Sequence, residues 1–299
     1  MTDGTMNANE AVQAAASATP SRNRRRGLAR RGELVAGAVL ILVVLLIAVI
    51  VPLLEPGAAT RIDPSKALAA PGPGSLLGAD QLGRDLLVRV AVGYRISLSI
   101  SLGAVVFAVI VGGVLGLIAA TAPRGVDGLI MRILDVIMSF PALLLAIVVV
   151  ALFGPGVVVL LFAIGIVYVP IIARVMRAAA LETAHLAYVE SARARGAGRL
   201  RILFRHIAPN SLGPLIVQSS ILVGLGVILE AGLSFVGLGV QPPTPSLGLL
   251  LSSGRDYMST SPWVVADPAV AIFIAVLGFT LIGDGLQAWL DPQKRTIGR

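Results

Sequence analysis

The residues with the most evident potential for chemistry lie in one stretch, 188–210, which reads YVESARARGAGRLRILFRHIAPN. This stretch holds five arginines, one histidine and one glutamate in 23 residues, whereas long apolar runs make up most of the chain. Arginine side chains pair well with carboxylates, because the planar guanidinium group offers several donors in a fixed geometry. The chemistry available to this stretch is therefore pairing with acidic groups rather than bond making, and whether it docks on a partner is left open here.

A second group of polar residues lies inside the apolar runs: Asp135, Gln218, Glu230 and Asp284. A charge at the centre of a bilayer costs about 2.5–3.5 kcal/mol on insertion scales, so such side chains are expected to face the protein interior or an interface. These four residues are candidates for a wet pathway or gate. The competing interpretation is a structural pair, such as Asp135 with Arg132 one turn away. We favour the pair for Asp135 and Asp284 and leave Glu230 open.

The sequence does not predict an enzyme. It has no cysteine, which excludes disulfides, thiol catalysis and cysteine-ligated metals. Its two histidines are too few to argue a metal site, and neither lysine, Lys66 or Lys294, follows a glycine-rich phosphate loop GxxxxGK-S/T. We therefore expect no directly bound metal or cofactor and no ATP hydrolysis by that route.

The composition places the chain in a membrane. Hydrophobic residues make up 56% of the sequence and charged residues 13%, against about 25% charged residues in soluble domains. Apolar runs of roughly 20 residues recur, and each is long enough for a helix to cross a bilayer core. They predict an all-α polytopic membrane protein with six transmembrane helices, at 34–54, 96–122, 128–153, 157–173, 211–232 and 268–289.

The basic residues predict the orientation of these helices. With the N terminus inside, the inner segments hold 18 of the 24 lysines and arginines, as the positive-inside rule requires. Both termini are therefore expected in the cytoplasm, and the net charge of +8 reflects topology rather than a nucleic-acid partner. The predicted segments are a disordered basic tail (1–33), the first span (34–54), an extracytoplasmic segment (55–95), a five-helix core (96–290) and a cytoplasmic tail (291–299).

Two loops of the core stand out. The cytoplasmic loop, 177–210, contains a helix–glycine–helix pattern: 188–195 predicts a short helix, and Gly196 can end it with a positive φ. A second helical stretch follows at 200–207 and Pro209 stops it, after which Asn210 or Ser211 can cap the fifth span. The outer loop, 234–267, contains a segment that predicts a short amphipathic helix at the membrane interface.

Two interpretations of the basic stretch are open. It is either a loop whose charges only set membrane topology, which the residue pattern alone favours, or an ordered docking element. The segment E-S-A-x3-G, followed nine residues later by H-I-A-P, resembles the loop signature E-A-A-x3-G-x9-I-x-L-P of permease subunits of ATP-binding-cassette (ABC) importers. Three positions depart from it, namely Ser191, His206 and Ala208. The positions that agree are Glu190, Ala192, Gly196 and Pro209.

Four further blocks resemble the second permease of dipeptide and oligopeptide importers, a branch that includes nickel importers. The blocks are LGADQLGRDLLVRVAVGYRISLSI (77–100), SFPALLLAI (139–147), LEAGLSFVGLGVQPPTPSLGLLLSSGRDYM (229–258) and LIGDGLQAWLDPQKR (281–295). The resemblance covers about residues 77–295. It implies the type I ABC importer permease fold in a bacterial cell membrane.

The resemblance also implies a mechanism. In that family the basic loop forms a coupling helix that sits in a groove of a cytoplasmic ATPase, so ATP and magnesium would bind the partner. The other implied partners are a second homologous permease, two ATPase subunits or one fused ATPase, an extracytoplasmic peptide-binding protein and the peptide substrate. The residues implied in coupling are Glu190, Ser191, Ala192, Arg193, Arg195, Gly196, Ala197, Arg199 and Pro209.

Alternatives to peptide import remain open at this point. The same architecture serves importers of other small solutes, such as nickel chelates or short glycosides, and no residue in the spans names the substrate. A self-sufficient secondary transporter is the alternative from another class. It would require inverted repeats with broken helices or a selectivity ring, and the sequence shows neither pattern.

Overall fold

A computed structural model of the chain describes residues 21–290, with side chains from residue 32 onward. Over this range the regular structure is helical apart from two isolated β-bridges, which confirms the predicted all-α class. The predicted tail 291–299 and the first 20 residues of the predicted N-terminal tail lie outside it. The main helices are α1 (Ser21–Leu54), α2 (Leu86–Thr121), α3 (Arg124–Met138), α4 (Ala142–Phe153), α5 (Val157–Ala184), α6 (Ala187–Ala194), α7 (Leu212–Phe235), α8 (Leu247–Gly254) and α9 (Trp263–Leu290).

Helix α1 begins earlier than the predicted first span. Residues 21–33, which the sequence assigned to the disordered tail, are helical and run directly into the apolar stretch. The added segment contains several arginines, which are good helix formers, and no proline after Pro20. The part of this helix that is apolar enough to cross a membrane is Gly32–Leu54.

Helix α2 also starts before its prediction, at Leu86 rather than at residue 96. The prediction stopped short because Arg89 and Arg95 interrupt the apolar run. The helix instead starts where Asp85 caps it, with the carboxylate accepting a hydrogen bond from the Val88 amide (3.1 Å). Residues 86–95 are therefore part of the helical bundle and not of the segment between the first two spans.

The predicted third span, 128–153, is two helices rather than one. Helices α3 and α4 are bent by 87° relative to each other. Pro141 explains the break, because the ring of a proline drives the preceding residue out of the helical conformation. Within the described range five helices are long and apolar enough to cross a membrane, or six if this bent pair forms one span.

Two further predictions of the core need correction. Helix α5 does not end at residue 173 but continues to Ala184, so the predicted loop 177–210 begins as helix. The helix of the outer loop, α8, does not lie on the surface, because Leu247 and Leu250 are buried in the bundle against α2 and α9. A hydrophobic segment of eight residues is too short for its sequence to show whether it is buried among other helices or lies at the membrane interface.

Both ends of the described chain lie at one end of the bundle. Helices α1 and α9 are antiparallel, since Gly37 packs against Gly278 and Leu34 packs against Gly285. The start of α7 lies at the same end, because a Cβ atom on Gly213 would be 3.8 Å from Leu290. The segment that joins α5 to α7 and contains α6 is therefore found there too. We call this end the α6 end, and the opposite end, which carries α8, the α8 end.

The most extensive helix pair is α2 with α5, which run parallel. Gly112 and Gly116 lie one turn apart at their contact, where a Cβ atom on Gly116 would be only 2.9 Å from the Cβ of Met176. This G-x-x-x-G pair therefore serves close helix packing. Close packing here positions the end of α5, which carries α6.

Candidate docking surface and buried polar groups

Helix α6 is seated on the end of α5 and on the turn that leads into α7. Val189 (0% exposed) and Ala192 (4%) pack with Ala180 of α5 and with Ile202 and Ile207 in one apolar cluster. Val189 and Ala192 are three residues apart and so share one face of the helix. The other face of the helix is exposed.

Most members of the predicted coupling set lie on that outer face or in the turn after it. Ala192 is buried and Ala197 is partly buried, so these two residues hold the segment in place instead of presenting it. The arginines of α6 and of the following turn form no salt bridge with any described residue. The exposed members are Glu190, Ser191, Arg193, Arg195, Gly196, Arg199 and Pro209.

Gly196 ends α6 in the left-handed conformation, with φ of +79°, as the sequence predicts. Its amide donates to the Arg193 carbonyl (2.9 Å), and the Ala197 amide donates to the Ala192 carbonyl (3.1 Å). This bonding pattern is a Schellman turn, which satisfies carbonyls that a helix end leaves free. A Cβ atom on Gly196 would meet no heavy atom within 4 Å, so only the backbone conformation requires glycine here.

Pro209 does not stop the second helical stretch, contrary to the prediction. The chain forms an α-helical turn at Arg199–Ile202, a π-helical turn at Leu203–Ile207 and a further turn at Ala208–Asn210, and it then enters α7. A π turn bonds one residue further back and widens the helix. The π turn lies directly before the short turn that contains Pro209, so the helical path passes through this proline.

The predicted cap of the fifth span is also wrong. The Asn210 side chain donates to the His206 carbonyl (2.6 Å), and the Ser211 hydroxyl donates to the Ile207 carbonyl (2.9 Å). Both side chains therefore bond backward to carbonyls instead of accepting from the amides of α7. A helix that continues from the preceding turn has no free amides for a cap to satisfy.

Sequence reasoning missed two apolar side chains near α6. Leu200 is 71% exposed and Phe204 is 68% exposed, whereas Leu203 and Ile207 of the same stretch pack inward. Spacing of three and four residues would place all four side chains on one helix face, but the structure separates them into an exposed pair and an inward pair. We define the docking surface as the exposed coupling residues given above together with Leu200 and Phe204.

Two ion pairs connect α3 to the part of α5 that precedes α6. Asp127 accepts two hydrogen bonds from the guanidinium group of Arg177 (2.7 and 2.6 Å). Asp135 pairs with Arg174 (2.5 Å) and not with Arg132, the partner proposed from the sequence. Helical spacing placed the predicted partner on the same helix, but the actual partner comes from α5, which is adjacent in space and distant in sequence.

Glu230 is fully buried (0% exposed) toward the α8 end. Its carboxylate accepts hydrogen bonds from Ser97 of α2 and from Ser234 one turn further along α7 (2.7 Å each). In this structure the residue therefore lies at the buried contact between α2 and α7. The two serines supply the donors that a buried carboxylate needs.

The other two pathway candidates lie elsewhere. Gln218 is half-buried on α7, three turns from Glu230, and Asp284 is exposed on α9. Neither side chain makes a hydrogen bond or salt bridge to another described residue. The structure thus does not gather Asp135, Gln218, Glu230 and Asp284 into one site.

A buried ionic cluster at the α8 end was not singled out from the sequence. The Asp80 carboxylate accepts from Arg84 (2.7 Å) and lies 3.2 Å from the Arg89 guanidinium, which also donates to the Ala59 carbonyl (2.9 Å). All three charged side chains are at most 10% exposed. The cluster holds the segment between α1 and α2 against the bundle. The sequence could have predicted the pair of Asp80 with Arg84, because these opposite charges lie four residues apart in ADQLGR.

Comparison with known proteins places these features in a family. Residues 112–296 match the profile described as "Binding-protein-dependent transport system inner membrane component". The chain is 39% identical over 278 residues to the dipeptide transport system permease protein DppC of Alkalihalophilus pseudofirmus, covering 93% of this chain and 91% of that protein. It is 45% identical over 220 residues to the di/tripeptide transport system permease protein DppC of Pseudomonas aeruginosa, covering 74% and 73%.

Another relative carries a different substrate name. The glutathione transport system permease protein GsiD of Pectobacterium atrosepticum is 40% identical over 279 residues, covering 93% of each chain. Substrate names therefore vary among relatives of similar identity.

Solved structures agree on the fold. The MetNI methionine ABC transporter in inward-facing conformations has a chain that matches with a TM-score of 0.58 at 20% identity, covering 68% of this chain and 96% of that one. An amino acid ABC transporter crystallised with histidines matches with a TM-score of 0.53 at 17% identity, covering 64% and 89%. With a profile match over more than half its length, this chain belongs to the family of inner-membrane components of binding-protein-dependent transport systems.

Proposed function

We propose that this chain is one of two permease subunits of an ATP-driven importer of di- and oligopeptides in a bacterial cell membrane. The observation that carries the proposal is near full-length similarity to relatives named as dipeptide or peptide permeases, with 91–93% of this chain covered in two of them. Shared helices and loops over that length support a shared role in transport. The peptide substrate rests on those names and not on a residue of this chain.

In this proposal the docking surface binds the partner ATPases, and their movement during ATP hydrolysis is transmitted to the helices through it. The chain has no phosphate loop of its own, so ATP and magnesium bind partner ATPases and the chain itself carries no cofactor. Helix α6 suits such a role because its apolar side is seated on α5 while its arginines and the apolar side chains Leu200 and Phe204 face outward. A seated helix transmits a displacement that a mobile loop would absorb.

The α6 end then faces the cytoplasm. It carries the docking surface and both ends of the described chain, and the inner segments predicted from the sequence hold most of the basic residues. The α8 end faces outward, toward an extracytoplasmic peptide-binding protein. The remaining partners are a second homologous permease, which completes the pathway within the lipid bilayer, and two ATPase subunits or one fused ATPase.

The first test is affinity purification of the tagged chain from its own membranes in mild detergent. We expect a second permease and an ATPase with a phosphate loop to co-purify. The recovered complex is then placed in liposomes with the binding protein, and uptake of a labelled dipeptide is measured with and without ATP. Excess unlabelled tripeptide, glutathione or a nickel chelate serves as competitor.

The outcomes separate the candidate functions. ATP-dependent dipeptide uptake for which the unlabelled tripeptide competes more strongly than glutathione or the nickel chelate supports the proposal. ATP-dependent uptake that glutathione or a nickel chelate competes for more strongly would keep the importer and replace the substrate. Uptake by the purified chain alone without ATP would contradict the proposal and favour a secondary transporter.

A further inference from the structure

The buried carboxylate of Glu230 is the centre of a hydroxyl network that joins three helices. Ser97 of α2 and Ser234 of α7 both donate to it (2.7 Å each). The hydroxyl of Ser246, the residue that precedes α8, lies 3.5 Å from that of Ser234. All four side chains are at most 2% exposed. The network is therefore closed to solvent and its members depend on one another for hydrogen bonds.

The same hydroxyls bond the first turn of α8. The Leu247 amide donates to the Ser97 hydroxyl (3.1 Å), and the Leu249 amide donates to the Ser246 hydroxyl (3.2 Å). A helix leaves its first amides without partners inside the helix, so these two bonds satisfy groups that would be costly to bury alone. The carboxylate of Glu230 also lies toward the positive end of the α8 dipole.

Helix α8 is inserted between other helices and not laid over them. Leu247 and Leu250 are buried against α2 and α9, and Gly248 packs against the backbone of Ala231 on α7. Apolar packing of this kind does not need a carboxylate, and burying one costs free energy even when it is well bonded. A shift of α8 would leave the Leu247 and Leu249 amides without these hydroxyl acceptors, so the network favours the observed position of α8.

We propose that Glu230 is a positioning residue that holds α8 inside the α8 end of the bundle, acting through Ser97, Ser234 and Ser246. Helix α8 contacts α2, α7 and α9 together, so its seat closes the space between them. Opening of this end during transport then requires α8 to move with α2 and α7 as one unit. This role goes beyond the coupling surface, which lies at the other end of the bundle.

A matched pair of serines tests the proposal. Ser97 and Ser101 lie one turn apart on α2, both are fully buried, and both donate to α7 groups, Ser101 to the Val223 carbonyl (2.6 Å). Ser97 also accepts from the first amide of α8, and Ser101 does not. The comparison of Ser97→Ala with Ser101→Ala therefore tests the bonds of Ser97 to Glu230 and to α8 together, against a serine that has neither.

The readout is exposure of a single thiol on α8. The chain has no cysteine, so a Leu250→Cys substitution introduces its only thiol at a buried position. A membrane-impermeant maleimide added from the α8 side should label this thiol slowly in the chain that carries Leu250→Cys alone. Labelling should be equally slow when Ser101→Ala is added to that chain. With Ser97→Ala we expect labelling about tenfold faster or more, since a lost hydrogen bond to a charged group shifts an equilibrium by that much.

Transport supplies the second readout. Glu230→Gln keeps the shape and one acceptor, so we expect partial uptake, whereas Glu230→Leu should abolish uptake while the complex retains its basal ATP hydrolysis. If Glu230→Leu fails to accumulate in the membrane, Ser97→Ala and Ser234→Ala replace it. Equal labelling for the Ser97 and Ser101 variants, or normal uptake by Glu230→Leu, would overturn the proposal. The labelling requires neither substrate nor ATPase, so its result is independent of whether the chain imports peptides.

Discussion

Replacing Gly196 by alanine should loosen helix α6 through the backbone alone. At φ of +79° an L-residue is disfavoured by about 1–2 kcal/mol. A new Cβ atom there would meet no heavy atom within 4 Å, so no steric clash adds to this cost. The ratio of seated to released α6 is therefore expected to fall by about 5- to 30-fold.

Gly198 provides the matched control. It lies two residues further along with an ordinary φ of −64°, and a Cβ atom there also meets nothing within 4 Å. Alanine at either position stiffens the released chain by about 0.4–1 kcal/mol, so this contribution cancels when the two variants are compared. The difference between Gly196→Ala and Gly198→Ala thus reports the left-handed turn itself. Gly196→Asn should fall between them, because asparagine tolerates this conformation better than alanine.

Hydrogen–deuterium exchange of the backbone amides in 187–194 measures the ratio directly, since exchange there requires release of the helix. We expect exchange about 5- to 30-fold faster in Gly196→Ala than in Gly198→Ala. In the assembled transporter, Gly196→Ala should also consume more ATP per peptide imported. Equal exchange in the two alanine variants would refute the reasoning that the turn at Gly196 seats α6.

Three further predictions concern docking and packing. The double change Arg193→Glu and Arg195→Glu should weaken ATPase association, measured by co-purification, while membrane insertion stays normal; unchanged co-purification would mean that these arginines only set topology. Gly116→Ala should lower the thermal unfolding midpoint in detergent, because overpacking costs about 1–3 kcal/mol. Gly113→Ala should leave the midpoint unchanged, since its new Cβ atom would be 4.0 Å from the nearest atom. Equal midpoints for the two variants would contradict the close packing at Gly116. Asp127→Asn should lower the same midpoint by removing a charged acceptor of two hydrogen bonds from α5, and a midpoint equal to that of the parent chain would show that the pair contributes nothing measurable.

The helices were predictable where apolar runs alone decide them. Runs of about 20 residues place the spans because a bilayer core sets their length. The bounds failed where charged residues within a helix are paired with residues of opposite charge. Arg89 is paired with Asp80, and Arg174 and Arg177 are paired with acids of α3, so these helices continue through residues that a hydropathy criterion rejects.

Proline shows why local rules are not sufficient. Pro141 breaks the predicted third span into two helices, whereas Pro209 lies within a continuing helical path. A π turn precedes Pro209, and none precedes Pro141. The residues next to the two prolines do not predict which of them follows a π turn.

The candidate site was predictable in its local parts and not in its contacts. A short helix before Gly196 and the positive φ of that residue follow from spacing and from the freedom of glycine. The outward direction of Leu200 and Phe204 and the partner of Asp135 depend on how α5 and α7 are placed. Those placements are set by contacts between residues far apart in the sequence.

The helical path from Arg199 into α7 has a consequence for how the chain tolerates changes in length. Ser211, between the last short turn and α7, also has right-handed helical backbone angles, so no flexible joint separates the two. Each residue in such a path advances the helix by about 100°. Inserting or deleting one residue near Asn210 would thus rotate the face of α7 that carries Glu230 relative to the seat of α6. A glycine-rich loop would absorb the same insertion, so the residue count of this connection is a rotational constraint that joins the two ends of the bundle.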